Sequence, residues 1–544
     1  MNDLGPVLEF ARPSNLSRLW RAGALRPLSP VGLAGALPWL VGRGPSLGIL
    51  SRMHGIALGP QPAVIDGRGV VTWRDLDGRS DRAARALHGC GVGAGDAVAM
   101  VLRNGREFVE VLLAAQKLGA TACLLNTWAG TAELRSILGE LDPAAIAYDV
   151  RHVERLGPAV APRAALLSVG EDPPARLPGA ETYEGLLAAQ PETPLSPVGE
   201  GRGRARIVIQ TSGTSGRPKG AARDGSGRGL GGLPSLLDRV PFRADDVILC
   251  PAPLFHAFGL LNVTLTMLLG ARMVLPDAFD PEETLALVDR HRATTCALVP
   301  VMLRRILDLP EDVLDRHDLG SLRIVLVSGS ALPGDLRERA AETFGDVVHD
   351  LYGSTEAGWV AVARPEDARR RPGTVGRPVE GVEVAIIRPD GTPARPGEHG
   401  EIHVRSTARF EGYTSGDRTE ERDGYLSLGD VGWLDRDGSL HVEGRADDMA
   451  VIGGENVHPA EVEEVVRRVD GVDDVAVAGV PDQEYGQVLA AFVVGPADPE
   501  AIREACRTEL ASFKVPRRVE LVNELPRTAT GKVKLHELVR KEKE

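Results

Sequence analysis

The sequence predicts an α/β protein. It should have a large N-terminal domain of layered α/β sheets, a small β-barrel-like subdomain at the end of that domain, and a small α+β C-terminal domain. Three changes of texture along the 544 residues carry this reading. From Ala63 onward apolar strands alternate with amphipathic helices, the rhythm of parallel sheet covered by helices. After Pro372 the text breaks into short β pieces between Gly and Pro turns. Past Arg445 a compact set of helices and strands follows, long enough to bury a modest core of its own. These shifts divide the chain into an extension over 1–55, a domain over 56–444 whose β-rich part is about 372–444, and a domain over 445–544.

In chain order, AVID and VVTW flank a turn at Asp66-Gly67, and an amphipathic helix runs from Arg74 to Leu87. The strand AVAMVL and a helix from Arg106 to Leu118 come next. A second series reads VILCPAPLFHAFG, LLNVTLTMLLG and ARMVLP as apolar strands, then a helix from Pro281 to His291, then TCALVP and RIVLVSGS. Ligands sit at such strand ends in open α/β sheets. The β-rich part contains VEVAII, EIHVRS, DGYLSLGDVGWLD and LHVEGR, with turns at Pro389-Asp390-Gly391 and Asp437-Gly438. The last unit offers a helix from Pro459 to Val469, strands VAVAGV and LAAFVV, a helix from Glu500 to Leu510 and a strand RRVELV. The stretch from Gln190 to Arg206 is a polar, Pro/Gly-rich connector.

The formal net charge of -13 argues against general nucleic-acid binding, which needs a basic face to displace counterions. Five cysteines, Cys90, Cys123, Cys250, Cys296 and Cys506, are scattered without metal-ligand spacing and read as core residues in a reducing cytoplasm. The start, MNDLGPVLEFARPSN, lacks the basic and apolar regions of a secretory signal. Residues 1–55 carry Arg12, Arg18, Arg21, Arg26, Arg43 and Arg52 against Asp3 and Glu9, with Leu and Trp interleaved. A helix packed on the main domain is the first expectation for them, and peripheral contact with an anionic membrane the second.

Thr211 to Gly220 reads TSGTSGRPKG after the apolar run RIVIQ, so a buried strand feeds a loop of glycines and hydroxyl residues. Such a loop lets successive backbone N–H groups face one anion, while Thr211, Ser212, Thr214 and Ser215 add hydroxyl donors. It is not a Walker A loop, because Gly220 and Ala221 follow Lys219. Only seven of the 63 basic residues are lysines, which gives Lys219 added weight. Tyr352-Gly353-Ser354-Thr355-Glu356 follows the apolar strand Val347 to Leu351. It offers an aromatic face for a base, a hydroxyl for a phosphate oxygen and a carboxylate for Mg²⁺, though an ordinary turn reads the same way. Asp430 lies between Gly429 and Val431-Gly432, suited to two ribose hydroxyls or to a turn. Gly444-Arg445-Ala446-Asp447-Asp448 ends the β-rich text, Gly453-Gly454-Glu455-Asn456 follows it, and Lys532 stands in the loop Pro526 to Val533.

Taken together and in this order, from about Ala63 to Leu538, these motifs resemble the adenylate-forming superfamily of acyl-CoA synthetases, non-ribosomal adenylation domains and luciferases. The fatty-acyl-CoA ligases are the most similar branch. The resemblance implies ATP, Mg²⁺ and CoA as cofactors and co-substrates. It places Thr211, Ser212, Gly213, Thr214, Ser215, Gly216 and Lys219 around the β- and γ-phosphates. Ser328, Gly329 and Ser330 would line the adenine side, with Asp350, Tyr352, Gly353, Ser354 and Thr355 also at the nucleotide. Glu356, with Thr211, would hold the metal, and Asp430 and Arg445 the ribose. Asp447 would be the hinge of a mobile C-terminal domain, Lys532 the lysine of adenylation, and Gly453, Gly454, Glu455 and Asn456 the lining of the pantetheine path. His256, in PLFHAFG, resembles the histidine that gates the acyl pocket; a buried histidine satisfied by backbone would look the same. The catalytic set is then Lys532, Glu356, Thr355, Thr211 and His256. Leu428 stands where the family commonly has Thr, and the segment from Phe410 to Asp423 is more polar than its usual counterpart.

The acyl pocket is expected among Phe255, His256, Phe258, Gly259, Leu260, Met302, Ser330 and Trp359, which are apolar or small. No acidic partner for an α-amine accompanies them, so an apolar acid is expected, with a medium- or long-chain fatty acid ahead of aryl and branched acids. Transfer to CoA is the leading second step. Alternatives are delivery to a carrier protein or another acceptor, cyclisation of a β-hydroxy acid to a β-lactone, and a non-catalytic scaffold. A homodimer or a carrier-protein partner stays open.

Overall fold

The computed structural model describes residues 12–25, 39, 46–129, 131–160, 164–170, 176–196, 205–212, 218–225, 232–416, 421–445, 450–452, 455–482, 486–510, 514–528 and 531–541. Two large sheets dominate. The first runs in the order Gly412–Tyr413, Pro218–Asp224, Arg206–Ser212, Thr121–Leu124, Ala97–Val101, Ala145–Asp149, Ala165–Val169, Glu181–Thr182. From Arg206–Ser212 outward to Glu181–Thr182 the pairings are parallel, as the strand–helix alternation predicts. Pro218–Asp224 turns back antiparallel on Arg206–Ser212, with Thr211 opposite Lys219.

The second sheet has a parallel centre of Ile324–Val327, Thr295–Leu298, Val247–Leu249 and Arg272–Leu275, with Val348–Ser354 parallel to the first of these. Gly358–Ala363 then folds back antiparallel on Val348–Ser354, and Thr374–Pro378 connects it to Leu440–Arg445, Tyr425–Leu434, Gly400–Ser406 and Val382–Ile387. The β-rich part is therefore continuous with the second sheet. The chain makes this corner at Gly376, φ +88°, where an added Cβ would overlap the Val362 carbonyl.

Two runs differ from their reading in the sequence, and the first, VILCPAPLFHAFG, is strand only at Val247–Leu249 while its last three residues begin a helix. LLNVTLTMLLG is not a strand: its first ten residues, Leu260 to Leu269, complete the helix Ala257–Leu269, which Gly270 ends in the left-handed region. A run that is apolar on every side suits a buried helix as well as a buried strand, and here its length favours the helix. The C-terminal part forms as expected, with Asp474–Asp482, Gly486–Val494 and Arg518–Leu521 in one sheet beside helices Pro459–Arg467 and Pro499–Glu509.

Near the N-terminus, helix Pro13–Arg21 docks on the main body. Arg18 donates to Asp238 at 2.6 Å and pairs with Glu380, and Leu19 is buried. Trp20 on the same helix is 72% exposed. Helix Leu47–Ala57 packs against Trp73–Gly89 and Arg106–Leu118. No helix among the described residues is long and apolar enough to cross a membrane.

A buried ionic knot joins those three helices. Lys117 Nζ donates to Asp77 Oδ1 and Asp81 Oδ1, each at 2.7 Å, and to Ser80 Oγ at 2.8 Å. Arg52 takes the opposite oxygens, Asp77 Oδ2 at 3.0 Å and Asp81 Oδ2 at 2.6 Å. Burial would raise the Asp81 carboxyl, but Lys117 and Arg52 hold it below its ordinary range. Lys117→Ala removes one of two cations from a buried pair of carboxylates. It is expected to cost about 3–5 kcal/mol in urea unfolding.

Glu110 lies on the same central helix, fully buried, held by Arg79 at 2.7 Å and by the Tyr183 hydroxyl at 2.9 Å. Burial pushes its carboxyl up to about 7 against the pull of Arg79. The folded protein thus binds this proton more tightly than the unfolded chain. The group's contribution to stability is complete below pH ~4.5 and is lost as pH rises towards 7. Melting curves of wild type and Glu110→Gln between pH 4 and 8 should show the wild type losing ground relative to the variant across that window.

Candidate active site

The strand ends that the motifs occupy converge at the junction of the two sheets. Tyr352, Gly353 and Ser354 continue the strand Val348–Ser354 and pair with Gly358–Ala363, so the Thr355–Glu356 turn is the tip of a hairpin. Gly353 is required there, because an added Cβ would overlap the Gly358 carbonyl. Ser354 Oγ accepts from the backbone N–H of Glu356 at 3.2 Å and of Ala357 at 3.0 Å, which shapes the turn. From the β-rich part, Asp430 comes alongside: the Tyr352 hydroxyl donates to Asp430 Oδ2 at 2.6 Å. Asp430 also stands opposite Arg445 across two neighbouring strands. The adenine- and ribose-side candidates, 78 residues apart, are thus in contact.

The segment after Ala408 sews this hairpin to the first sheet. Phe410 N–H donates to the Glu356 carbonyl at 2.8 Å, Glu411 N–H to the Ala222 carbonyl at 2.7 Å and Thr414 N–H to the Gly220 carbonyl at 2.8 Å. Tyr413, on this segment, donates its hydroxyl to Glu356 Oε1 at 2.8 Å, and the Lys219 ammonium lies 5.4 Å from its ring centroid. Glu356 and Lys219, one from each sheet, therefore flank a single tyrosine. Thr211 and Ser212 end the strand Arg206–Ser212 on the same edge, while Gly213, Thr214, Ser215 and Gly216 lie outside the described residues.

Ser328 follows the strand Ile324–Val327 and spends its hydroxyl on the Leu351 carbonyl at 2.7 Å; Gly329, φ +98°, and half-buried Ser330 come next. Asp350, expected beside the nucleotide, is buried and paired with Arg337 at 2.6 Å. Burial pushes its carboxyl up to about 6 against that arginine. Its carboxylate is engaged by Arg337 within the protein. Lys532 is exposed in a loop closed by Gly531 N–H to the Thr528 carbonyl at 2.9 Å. That loop leans on the main body, since a Cβ on Gly531 would come within 2.9 Å of Val301, the neighbour of Met302. Asp447, Gly453 and Gly454 lie outside the described residues, and Glu455 and Asn456 belong to the short strand Glu455–Val457.

On the acid side, His256 precedes the helix Ala257–Leu269, and Gly259 lets that helix sit directly on the Pro253 carbonyl. Burial pushes His256 down to about 4, so it is neutral at physiological pH, and its Nε2 is buried without a hydrogen-bond partner. The ring of buried Phe255 stands 4.5 Å from it and 5.3 Å from that of Trp128, which is 53% exposed. Phe258 packs against three hydrophobic clusters, of which Phe255 and Leu260 belong to one, Trp359 to another and Met302 to the third.

Three residues here carried no usable signal in the sequence. Tyr413 lies in a polar stretch, Arg223 follows two alanines, and Trp128 sits in an ordinary strand-end loop. Only contacts across the fold bring them to the site.

Mg²⁺ takes oxygen ligands, typically one or two carboxylates together with substrate phosphates. Glu356 fits that role: a carboxylate has about four acceptor positions, and Tyr413 uses one. Among the described residues no cluster of three His, Cys, Asp or Glu could hold a metal ion. Tyr352→Phe keeps the ring and gives up the bond to Asp430. ATP affinity should fall about fivefold in calorimetry, equivalent to ~1 kcal/mol.

The AMP-binding enzyme family profile matches residues 58–414, and the profile of the AMP-binding enzyme C-terminal domain matches 461–532. The feruloyl-CoA synthase of an Amycolatopsis species is 36% identical over 481 residues, 87% of this chain and 94% of that protein. The long-chain-fatty-acid–CoA ligase FadD13 of Mycobacterium tuberculosis is 30% identical over 85% of this chain and 91% of its own. The solved structure of the anthranilate CoA ligase AuaEII with anthranoyl-AMP superposes with a TM-score of 0.82 at 27% identity, covering 91% of this chain and 97% of that one. The chain belongs to the AMP-binding enzymes, the adenylate-forming superfamily, as an acyl- or aryl-CoA ligase.

Proposed function

We propose that the chain joins an apolar carboxylic acid to CoA in two steps at one site, with ATP consumed to AMP and pyrophosphate. The observation that supports this reading is the Tyr352–Asp430 contact together with the Glu356–Tyr413 pair, an aromatic face and two carboxylates suited to a base, a ribose and a metal ion. In the first step a carboxylate oxygen attacks the α-phosphorus, the bond to pyrophosphate breaks and an acyl-AMP forms. In the second the CoA thiolate attacks the acyl carbon and AMP leaves. No protein nucleophile is required.

Each group then has a physical task. Tyr352 stacks on adenine and positions Asp430 for the ribose hydroxyls, with Arg445 beside it. The loop from Thr211 to Lys219 holds the β- and γ-phosphates through backbone N–H groups and hydroxyls, and Thr355 bonds the α-phosphate. Glu356 with Thr211 would hold Mg²⁺, which would supply positive charge against the triphosphate. Lys532 offsets the charge that develops between carboxylate and phosphoryl oxygens, an effect that grows as water is excluded. We place the boundary between the large and small domains at residue 445 and the hinge at Asp447. Rotation there withdraws Lys532 and brings Gly453 to Asn456 to the thiol path.

For the acid, neutral His256 and the rings of Phe255, Phe258 and Trp359 favour an apolar substrate with flat faces. The relatives named for ferulate and anthranilate support an aromatic acid as the leading choice. A fatty acid comes second, supported by the long-chain ligase at lower identity.

The test is pyrophosphate release with MgATP over a panel of aromatic, fatty, β-hydroxy and amino acids, with and without CoA, with products identified by mass. Acyl-CoA from an aromatic or aliphatic acid is expected. Acyl-AMP or a β-lactone persisting with CoA present would move the second step to another acceptor, and no pyrophosphate with any acid would end the reading. Lys532→Ala should lose adenylation by about a hundredfold or more while still making acyl-CoA from supplied acyl-AMP. Equal loss of both steps in the folded variant would remove that division of labour.

A further inference from the structure

We propose that Arg223 is a positioning residue for adenylation, holding the Thr355–Glu356 turn from beneath so that both side chains meet the triphosphate and its cation. The proposal rests on the adenylation reading above. Arg223 lies on Pro218–Asp224, the strand that leaves the phosphate loop, opposite Ile207. Its guanidinium turns inward: one Nη donates to the Thr355 carbonyl and the other to the Ala408 carbonyl at 3.2 Å, while Nε is buried without a partner.

This arrangement is costly. Taking a guanidinium out of water is costly unless it is paired, and among the described residues no carboxylate forms an ion pair with Arg223. Burial pushes its pKa down to about 10, with Glu356 the one charge that draws it back, so it stays cationic at neutral pH. Among the described residues, the buried cations Arg18, Arg52 and Lys117 contact two carboxylates each. Arg223 contacts two carbonyls, and those belong to the segments that build the site. One is the carbonyl of Thr355 itself. The other, at Ala408, begins the stretch whose Phe410 N–H bonds the Glu356 carbonyl and whose Tyr413 bonds the Glu356 side chain.

The turn is therefore held on every side. Ser354 holds two of its N–H groups, Arg223 and Phe410 hold its successive carbonyls, and Tyr413 holds its carboxylate. Arg223 is the member of this set that comes from the phosphate-loop strand. It fixes the distance between the residues expected at the β- and γ-phosphates and those expected at the α-phosphate and metal. A lysine has one ammonium and spans two carbonyls less well than a planar fork.

The test uses the full chain as wild type, Arg223→Met and Arg223→Lys. The readouts are MgATP affinity by calorimetry without acid, pyrophosphate release, acyl-CoA formation from supplied acyl-AMP of an acid that the wild type turns over, and the melting midpoint. For Arg223→Met, MgATP affinity and pyrophosphate release should each fall tenfold or more, thioester formation should stay within twofold, and Arg223→Lys should recover part of the loss. Equal loss of both half-reactions in a folded Met variant would show a general structural role and overturn the proposal, as would unchanged MgATP affinity. Should the Met variant fail to fold, Arg223→Lys and Arg223→Gln read the same split, and failure of all three to fold also overturns it. Glu356→Gln is the control: full adenylation by that variant would overturn the site reading itself, separately from the role of Arg223.

Discussion

The site depends on one seam, the stretch from Ala408 to Thr414 that runs between the edge of the first sheet and the hairpin tip of the second. Its backbone bonds reach Ala222 and Gly220 on one side and Glu356 on the other, so the two sheets meet at a fixed distance. Each sheet carries half of the candidate site. The phosphate-loop strand belongs to one, while Tyr352, Glu356 and Asp430 belong to the other. Because the seam is made of backbone bonds plus the Tyr413 hydroxyl, it specifies direction as well as distance.

Charge is used in two ways. Away from the seam, buried charges are paired: Lys117 and Arg52 share Asp77 and Asp81, Arg79 holds Glu110, and Arg337 holds Asp350. Such pairs satisfy their own desolvation and fix how helices and strands sit. At the seam the pattern changes. Arg223 donates to two carbonyls, and the Glu356 carboxylate accepts from a hydroxyl. A carboxylate that accepts from one hydroxyl keeps further acceptor positions.

The acid side follows a different logic. Its residues come from three hydrophobic clusters that meet at Phe258, so the lining is shaped by packing between layers. Neutral His256, whose Nε2 is buried without a hydrogen-bond partner, stands among these rings.

Local order in the sequence determined much of this protein. Strand and helix periodicity placed most elements, glycine and hydroxyl patterns marked the strand ends, and the spacing of Tyr352, Asp430 and Lys532 supported the family resemblance, because each signal is written within a few residues. The same local signals misled at Leu260 to Leu269, where an apolar run reads as strand or helix until its neighbours are known. Only the tertiary structure decided that the Asp350 carboxylate belongs to Arg337, that Tyr352 bonds Asp430, and that Tyr413 and Arg223 close around Glu356. Of these partners, those at the hairpin tip lie 57 to 132 residues apart in the chain, and one-dimensional patterning does not encode which distant side chain fills a buried site. That choice is made by sheet order and register, which bring the edges together and leave each buried polar group to find its partner there.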